Sequence, residues 1–354
     1  MARMDEFLHA MVEAGGSDLH LSVSLPPKVR ISGEITALDS PPLTTEDMEQ
    51  ILSEVCPKDQ WEHFLEAKDL DFAYEIEGLA RFRVNYLCNY FGNAAVLRTI
   101  PAKVLSLEQL NLPEAIRKVC HYNEGLVFVT GPTGSGKSTT MAAMLDYINA
   151  TMAKHIITIE DPVEFVHQNK KSVIVHREVG LHAKSFGRAL ESAMRADPDI
   201  ILVGEMRELE TIRLSLTCAS MGMLVFGTLH TNNAPKTIDR VIDAFPAQEQ
   251  AQIRTMLAGS LSGVISQLLC KKLGGGRVAA HEILLENEGL PNTIREGMIS
   301  NIRSIIEGSQ ATGMCTMDAT LRRLYESEMI SAQEAYMKAN DKKMFLDLAE
   351  GRTN

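Results

Sequence analysis

The sequence predicts an α/β protein with two domains. The chain has 354 residues, which is more than one ordinary domain usually holds. Up to about residue 100, apolar residues alternate with polar ones, as in strands that bury one face. After about residue 119, short apolar runs alternate with helical segments, a pattern typical of a mostly parallel sheet that is buried on both faces.

Residues 1–100 are predicted to form a small domain with a sheet and helices on one side of it. The segment MDEFLHAMVEAG has apolar residues at helical spacing, and PPLTTEDMEQILSEV begins a second helix with Thr44 or Thr45 as its cap. The expected strands are DLHLSV, KVRISGEI, DFAYEI, ARFRVNYL and NAAVLRTI. Residues 101–118, with a proline near each end, are predicted to be a linker.

Residues 119–350 are predicted to form the second domain. Its expected strands are GLVFVT, HIITIE, SVIVHRE, DIILVGE, LVFGTLH and VAAHEIL. From about residue 250 we expect mostly helix, including QAQIRTMLAGSLSGVISQLL and a helical subregion over residues 285–350. Cys270 is expected at a buried helix end.

Composition excludes several classes of protein. The net charge of −11 gives no support to a nucleic-acid partner, which would favour a basic surface. The six cysteines form no CxxC pair, which argues against a zinc site and a disulfide framework. We find no apolar stretch long enough to span a membrane and therefore expect any membrane association to be peripheral.

The segment GPTGSGKS fits the phosphate-binding pattern G-x-x-x-x-G-K-[ST], between a predicted strand and a predicted helix. Backbone N–H groups and the helix N-terminus would surround phosphate oxygens. Lys137 would reach the β- and γ-phosphates of ATP, and Ser138 would hold Mg²⁺. The predicted nucleotide-binding residues are Gly131, Pro132, Thr133, Gly134, Ser135, Gly136, Lys137, Ser138 and Thr139.

Three polar clusters follow predicted strands beyond this loop. ITIEDPVEF contains Glu164, DIILVGEM ends at Glu205, and LVFGTLHTNN contains His230. The carboxyl ends of parallel strands share one edge of a sheet, where ligands bind. We assign Glu164 to orienting or deprotonating water and Glu205 to Mg²⁺, although the two roles could be exchanged. His230 would contact a γ-phosphate oxygen or the attacking water.

These stretches together resemble the type IV pilus retraction ATPases, the PilT family of the type II/IV secretion ATPase superfamily, over nearly the whole chain. The carrying stretches are GGSDLHLS, LPPKVRISGEI, ARFRVN, FVTGPTGSGKSTT, ITIEDPVEFVH, DPDIILVGEMRELETIRLSLT, LVFGTLHTNNAPKTIDRVID and GGGRVAAHEIL. The resemblance implies a PAS-like N-terminal domain and a RecA-like ATPase domain. In this family Glu164 corresponds to the Asp box, Glu205 to the Walker B block and His230 to the His box.

The resemblance also implies a homohexamer on the cytoplasmic face of the inner membrane, at the base of the pilus. Its partners would be a membrane platform protein and, as a further partner, a paralogous retraction ATPase. Arginines at family positions are expected to reach nucleotide at a domain or subunit interface, which suits a planar cation near phosphate. They are Arg81, Arg83, Arg98 and Arg195. The alternative is that Arg81 and Arg83 lie on a surface strand without such a role.

The sequence departs from the family pattern at three places in the ATPase domain, one of which is the retraction signature, where only the second half survives in LPNTIRE. Met223 replaces the second histidine of the His box, and Glu191 replaces the first of two arginines, of which Arg195 remains. These changes raise the alternative that the chain is a weakly hydrolysing accessory subunit of a retraction ATPase ring. A DNA-dependent ATPase and a pilus-assembly or secretion ATPase are further alternatives. The acidic balance of this chain gives no support to a DNA-dependent ATPase. Pilus-assembly and secretion ATPases usually carry a tetracysteine zinc module, and the cysteines of this chain do not form one.

Overall fold

A computed structural model describes residues 2–31, 33–100 and 104–350. The chain divides into two compact units. The N-terminal unit comprises Met1–Val104 together with Pro162–Phe165. The second unit, called the ATPase unit after the activity that the resemblance implies, comprises Leu105–Asp161 and Val166–Asn354. Residues 101–103 of the predicted linker lie outside the described residues.

The N-terminal unit is a six-stranded antiparallel sheet with the strand order β3-β2-β1-β6-β5-β4. Its helices are α1 (Arg3–Glu13), α2 (Thr45–Val55) and α3 (Lys58–Ala67), and its strands are β1 (Asp18–Ser22), β2 (Lys28–Ile31), β3 (Glu34–Ala37), β4 (Asp69–Ile76), β5 (Ala80–Asn89) and β6 (Gly92–Ile100). One face of the sheet packs with the apolar sides of the three helices in a single core cluster. The predicted mixed domain is confirmed, with α3 as an additional helix.

The start of α2 shows how the sequence determines a local boundary. The Thr44 hydroxyl accepts a hydrogen bond from the Asp47 N–H at 3.1 Å, and the Asp47 carboxylate accepts one from the Thr44 N–H at 2.9 Å. This reciprocal capping box satisfies two N–H groups that the helix cannot pair internally. Of the two expected caps, Thr44 is therefore the correct one.

The ATPase unit contains a seven-stranded sheet with helices between its strands. The elements up to the sheet's last strand are α4 (Glu114–Val119), β7 (Gly125–Thr130), α5 (Lys137–Thr151), β8 (His155–Glu160), β9 (Val173–Glu178), α6 (Phe186–Ala193), β10 (Ile200–Val203), α7 (Leu209–Ser220), β11 (Leu224–Leu229), α8 (Ala234–Asp243), α9 (Ala247–Ser260), β12 (Leu261–Lys271) and β13 (Arg277–Leu285). The order β13-β12-β7-β11-β10-β8-β9 is parallel except for β13. The predicted parallel sheet is confirmed.

The chain after β13 is helical, as expected for residues 285–350. Its helices are α10 (Leu290–Arg295), α11 (Ile302–Gly308), α12 (Met317–Glu326), α13 (Ala332–Lys338) and α14 (Lys343–Ala349). None of the helices within the described residues is long and apolar enough to cross a membrane.

The prediction that residues 261–269 are helical is wrong. They belong to β12, an interior strand that pairs in parallel with β7 and antiparallel with the edge strand β13. Cys270, expected at a helix end, lies buried on this strand. An apolar run that is buried on both faces has no periodicity to distinguish strand from helix, so pairing with its neighbours decides its structure. The predicted helix is real only as far as Ser260.

We predict that Ile265→Ala lowers the free energy of unfolding by about 2–5 kcal/mol, the usual cost of truncating a buried isoleucine. Ile265 is fully buried and lies opposite Val129 and Ile283 in the strand register. Urea unfolding followed by circular dichroism measures the change. Val173→Ala on the edge strand, where the residue is 55% exposed, serves as the control. Equal small effects of both substitutions would contradict an interior position for β12.

Candidate functional site

The candidate site of the ATPase unit lies at one edge of the parallel sheet. β7, β8, β10 and β11 run in the same direction, so the segments that follow them emerge at a common edge. The glycine-rich loop follows β7, Glu205 follows β10 within two residues, and His230 directly follows β11. Glu160 ends β8 at the same edge. The topology therefore brings the strand-end residues of three strands to the loop's side of the sheet.

Glycine is required at specific points of the loop. Gly131, Gly134 and Gly136 have φ values of 145°, 77° and 88°, in the region that side chains other than glycine rarely adopt. A Cβ atom at Gly131 would also lie 2.2 Å from the Gln267 carbonyl oxygen, too close for any other residue. The backbone of the loop thus turns sharply and packs directly against β12.

The loop has the groups that a phosphate needs. α5 begins at Lys137 with Gly136 as its N-cap, and within the described residues no side chain forms a capping hydrogen bond there. Lys137 Nζ donates to the carbonyls of Gly131 at 2.8 Å and Pro132 at 3.2 Å, so the ammonium group lies over the loop. The Ser135 hydroxyl is buried with no hydrogen-bond partner among the described residues. An uncapped helix N-terminus, an orphaned hydroxyl and a lysine fit the phosphates of a nucleotide.

The first turn of α5 carries the predicted Mg²⁺ ligand. Ser138 and Thr139 are half-buried at its start, whereas Pro132 and Thr133 on the loop are exposed. The described residues contain no cluster of three or more His, Cys, Asp or Glu side chains that could hold a metal by themselves. Proteins usually bind Mg²⁺ through one or two side chains together with the phosphates of the nucleotide, and the Ser138 hydroxyl would be one such ligand.

Glu205 and His230 lie in contact, as their positions on neighbouring parallel strands require. His230 Nε2 is 2.8 Å from Glu205 Oε1, and Arg207 Nε donates to the same carboxylate oxygen. His230 and Arg207 are largely exposed, whereas Glu205 is mostly covered, with 24% of its side chain exposed. The structure therefore brings together two of the three predicted catalytic residues and adds a cation.

Glu205 is held in its ionised form. Partial burial on its own raises the pKa of this carboxyl, but hydrogen bonds from Arg207 and His230 and the charge of Arg207 outweigh burial and lower the pKa below its usual range. A carboxylate that stays charged at neutral pH suits either role predicted for it, metal ligand or base.

Glu164 belongs to a different unit of the chain from Glu205 and His230. It is four residues beyond the end of β8, in the segment Pro162–Phe165 that groups with the N-terminal unit. It is half-buried. Its role in orienting water stays a prediction.

The predicted arginines of the N-terminal unit lie on one face of its sheet. Arg83 and Arg98 are directly opposite each other on β5 and β6, and Arg81 is two residues before Arg83. Arg98 Nε donates to Asp18 Oδ1 at 2.7 Å, whereas Arg81 and Arg83 lie 3.6 and 3.8 Å from carboxylates on β4. This arrangement is a surface row of cations held by acidic neighbours.

Asp18 anchors this row. It is 4% exposed. Burial on its own raises the pKa of its carboxyl, but hydrogen bonds from Ser17 and Arg98 and the Arg98 charge lower the pKa overall. Arg98 therefore sits beside a carboxylate that remains charged, with 64% of its own side chain still exposed.

The family departures lie away from the glycine-rich loop. Met223 precedes β11, at the opposite end of the strand from His230 and about 20 Å from it at about 3.3 Å per residue. Its carbonyl accepts a hydrogen bond from the Gly125 N–H at the start of β7. Glu191 lies on α6 and forms an ion pair with Arg188 at 2.9 Å, and Arg195 is exposed in the turn that follows. The two histidine positions of the His box thus lie at opposite ends of one strand, and Met223 is at the end away from the glycine-rich loop.

Two residues that the sequence analysis missed contact the site. Arg207 binds Glu205, and the cation two residues after the acid in GEMR was an available signal. Gln267 donates a hydrogen bond to the Ser135 carbonyl of the loop at 2.7 Å. It lies on β12, in the segment predicted to be helical, so the sequence carried no indication that it meets the loop.

We predict that Arg207→Ala raises the pKa of Glu205 towards the ordinary glutamate value, because the variant loses the hydrogen bond and charge that favour the carboxylate. A pH titration of the Glu205 carboxyl carbon by NMR measures the change. In the wild type this pairing contributes stability that is lost only as pH falls through the lowered folded pKa. Arg188→Ala, which removes an exposed ion pair elsewhere, is the control. An unchanged Glu205 titration in Arg207→Ala would contradict the assignment.

Comparisons with known proteins agree with this geometry. Residues 43–350 match the family model described as type II/IV secretion system protein. The chain is 51% identical to the type IV pilus retraction ATPase PilT of Pseudomonas aeruginosa, over 94% of this chain and 97% of that protein. It is 36% identical to the type IV pilus ATPase PilU of the same organism, over 97% of this chain and 91% of PilU.

A solved structure extends the agreement to the fold. The crystal structure of the pilus retraction motor PilT with bound ADP aligns with a TM-score of 0.90 and 44% identity, covering 97% of this chain and 98% of that one. The chain therefore belongs to the type II/IV secretion system proteins and, among them, to the PilT family of pilus retraction ATPases.

Proposed function

We propose that this chain is an ATP-hydrolysing motor that powers type IV pilus retraction, the depolymerisation of pilin that underlies twitching motility. One observation carries the proposal. The contacting pair Glu205 and His230 follows the parallel strands next to the loop of Lys137, so a base or metal ligand and a phosphate-binding loop share one sheet edge. The greater identity to the retraction ATPase PilT than to PilU supports this function.

Each residue at the edge has a distinct role in the proposal. Lys137 and the N–H groups at the start of α5 neutralise and orient the β- and γ-phosphates of ATP. Ser138 and Glu205 hold Mg²⁺, which when bound withdraws charge from the phosphates and aligns them for attack. His230 is fixed by Glu205 and presents its ring to the γ-phosphate or to the attacking water. Glu164 orients or deprotonates that water.

The arginines of the N-terminal unit supply positive charge in the assembled protein. We propose that Arg81, Arg83 and Arg98 reach a nucleotide at a domain or subunit interface, where planar cations stabilise the charge that develops on the γ-phosphate. In the absence of such a nucleotide, ion pairs with carboxylates of the same sheet hold the three arginines on one face. Arg195, exposed after α6, is proposed as an interface residue.

The working assembly is proposed to be a homohexamer. It would act from the cytoplasm on a platform protein at the inner-membrane base of the pilus, and a paralogous retraction ATPase could share the ring. The accessory alternative, in which the chain binds nucleotide but scarcely hydrolyses it, receives no support from the comparisons. The departures that raise this alternative are Met223 and Glu191, and Met223 lies at the opposite end of β11 from His230.

We predict that Glu205→Gln lowers kcat for Mg²⁺-dependent ATP hydrolysis by about 10²–10⁴-fold, because the amide neither carries charge nor accepts a proton. Lys137→Ala is expected to lose nucleotide binding itself, since its ammonium contacts the phosphates. Turnover of the purified oligomer and binding of fluorescent ADP measure the two effects separately.

Arg188→Ala is the matched control for these variants, because it removes an exposed charge outside the loop and the strand-end residues. Wild-type turnover in Glu205→Gln would exclude Glu205 from the chemistry. Tight ATP binding without turnover in the wild type would overturn the motor in favour of the accessory subunit.

We predict that Met223→His changes kcat by less than about twofold. The residue lies one strand length, about 20 Å, from His230, too far for its side chain to contact His230 within the same chain. The ATPase assay described above measures it. A large gain in kcat would mean that this position acts on the site of a neighbouring subunit.

A further inference from the structure

We propose that Gln267 is a positioning residue for the phosphate loop, whose side-chain amide holds the loop backbone at Ser135 in the shape that binds nucleotide phosphates. This inference rests on the proposed nucleotide site at Lys137. It names a residue on β12, outside the phosphate-loop motif, as part of that site's construction.

The sheet brings Gln267 beneath the loop. Ser266 pairs with Thr130, the last residue of β7, so Gln267 is the first residue of β12 to continue past the end of that strand. The chain after Thr130 turns into the glycine-rich loop, and Gln267 follows it with its side chain 2% exposed. β12 thus extends beyond the end of β7 and packs against the glycine-rich loop.

The amide of Gln267 has partners on both of its atoms. Nε2 donates to the Ser135 carbonyl at 2.7 Å. Oε1 lies 2.8 Å from the hydroxyl of Thr140 and 3.0 Å from His281 Nε2, and both of these groups can donate to it. Because a carbonyl only accepts, Ser135 determines which end of the amide faces the loop.

His281, on the neighbouring strand β13, stabilises this orientation of the Gln267 amide. It is wholly buried on β13, and burial lowers its pKa to about 4, so the ring is neutral at physiological pH. A neutral imidazole has one N–H, which is directed at Gln267 Oε1. Its own carbonyl accepts a hydrogen bond from Thr320 of α12 at 2.8 Å, which ties the support to the helical C-terminal part.

Gln267 also touches both ends of the loop closely. A Cβ atom at Gly136 would lie 2.8 Å from Gln267 Nε2, and one at Gly131 would lie 2.2 Å from the Gln267 carbonyl oxygen. The glycines that open the loop and precede α5 therefore pack on this one residue. Movement of the side chain would be transmitted to the N–H groups that face the phosphates.

A buried glutamine is costly to place in an apolar sheet unless its polar atoms are satisfied, so its presence calls for a reason. Preorganised N–H donors bind a phosphate better than mobile ones because no reorganisation is needed on binding. Glycines supply no side chains with which the loop could hold itself. Gln267 provides that restraint through the backbone carbonyl of Ser135.

The neighbouring residue offers a matched control. Ser266 is also buried on β12, and its hydroxyl lies 2.8 Å from that of Thr130, within hydrogen-bonding distance. Ser266→Ala therefore removes a buried hydrogen bond to the sheet. The isosteric Gln267→Glu removes the one to the loop and keeps the acceptor for Thr140 and His281, whereas Gln267→Leu removes all three. A merely structural role would make these changes equivalent for ligand binding.

The experiment measures the Kd for a fluorescent ADP and the melting temperature of the full-length protein. The free energy that one buried hydrogen bond contributes corresponds to a change of about tenfold in Kd. We expect Gln267→Leu and Gln267→Glu to weaken binding by about that factor at pH 8, and Ser266→Ala by less than about twofold at a comparable melting temperature. In Gln267→Glu, protonation of the carboxylate restores a donor to the Ser135 carbonyl. The loss of ADP affinity in this variant should therefore be smaller at pH 6 than at pH 8, whereas the loss in Gln267→Leu should be the same at both pH values.

Two results would overturn the inference. If Lys137→Ala abolishes binding while both Gln267 variants bind as well as Ser266→Ala, with no pH dependence in Gln267→Glu, Gln267 has no positioning role. If Lys137→Ala itself binds ADP like the wild type, the proposed nucleotide site is wrong and the inference falls with it. Gln267→Glu preserves side-chain volume and keeps the test valid if Gln267→Leu fails to fold.

Discussion

A loop built to surround phosphates needs a backbone that turns where side chains would collide, and this makes it dependent on its neighbours. Gly131, Gly134 and Gly136 provide the turns but no side chains with which to hold them. The restraint comes from the strands on either side of β7. On one side the Leu229 carbonyl of β11 accepts a hydrogen bond from the Gly131 N–H, and on the other Gln267 of β12 binds the loop at Ser135. The central position of β7 is thus a condition for the site as well as for the core.

The same close packing aligns the strand-end residues. Gly204 follows β10 so near to β8 that a Cβ atom there would lie 3.2 Å from Glu160 Cα, and a Cβ atom at Gly227 would lie 2.1 Å from Met206 Cε. These approaches bring the ends of three parallel strands together, and Glu205 meets His230 as a result. Beyond His230, the buried carboxylate of Glu282 accepts hydrogen bonds from the first N–H groups of α8 and α12. The segment after His230 is therefore tied to the helical C-terminal part.

The sequence predicted most of this because its signals are local. Period-two alternation indicates the N-terminal strands, Thr44 and Asp47 determine a helix start, and the spacing in GPTGSGKS identifies the loop. The failures concern residues whose structure depends on distant partners. β12 is an apolar run without periodicity, and only its pairing with β7 and β13 makes it a strand, so Gln267 could not be connected to the loop. Glu164 is a different case, because it lies four residues beyond a strand on a segment without periodicity, and its role stays a prediction.

Met223 shows how a motif can mislead when its residues are taken as one chemical group. The family pattern extends across the whole of β11, so its two histidine positions lie at opposite ends of a six-residue strand. Only the carboxyl end faces the glycine-rich loop, because ligands of a parallel sheet bind at that edge. At the amino end, the backbone carbonyl of Met223 pairs with Gly125, a contact that is independent of the side chain. We therefore expect a substitution there to leave the loop and the Glu205–His230 pair of the same chain unchanged. The Glu205–His230 pair is consequently the better measure of whether the chain can hydrolyse ATP than the number of motif positions it retains.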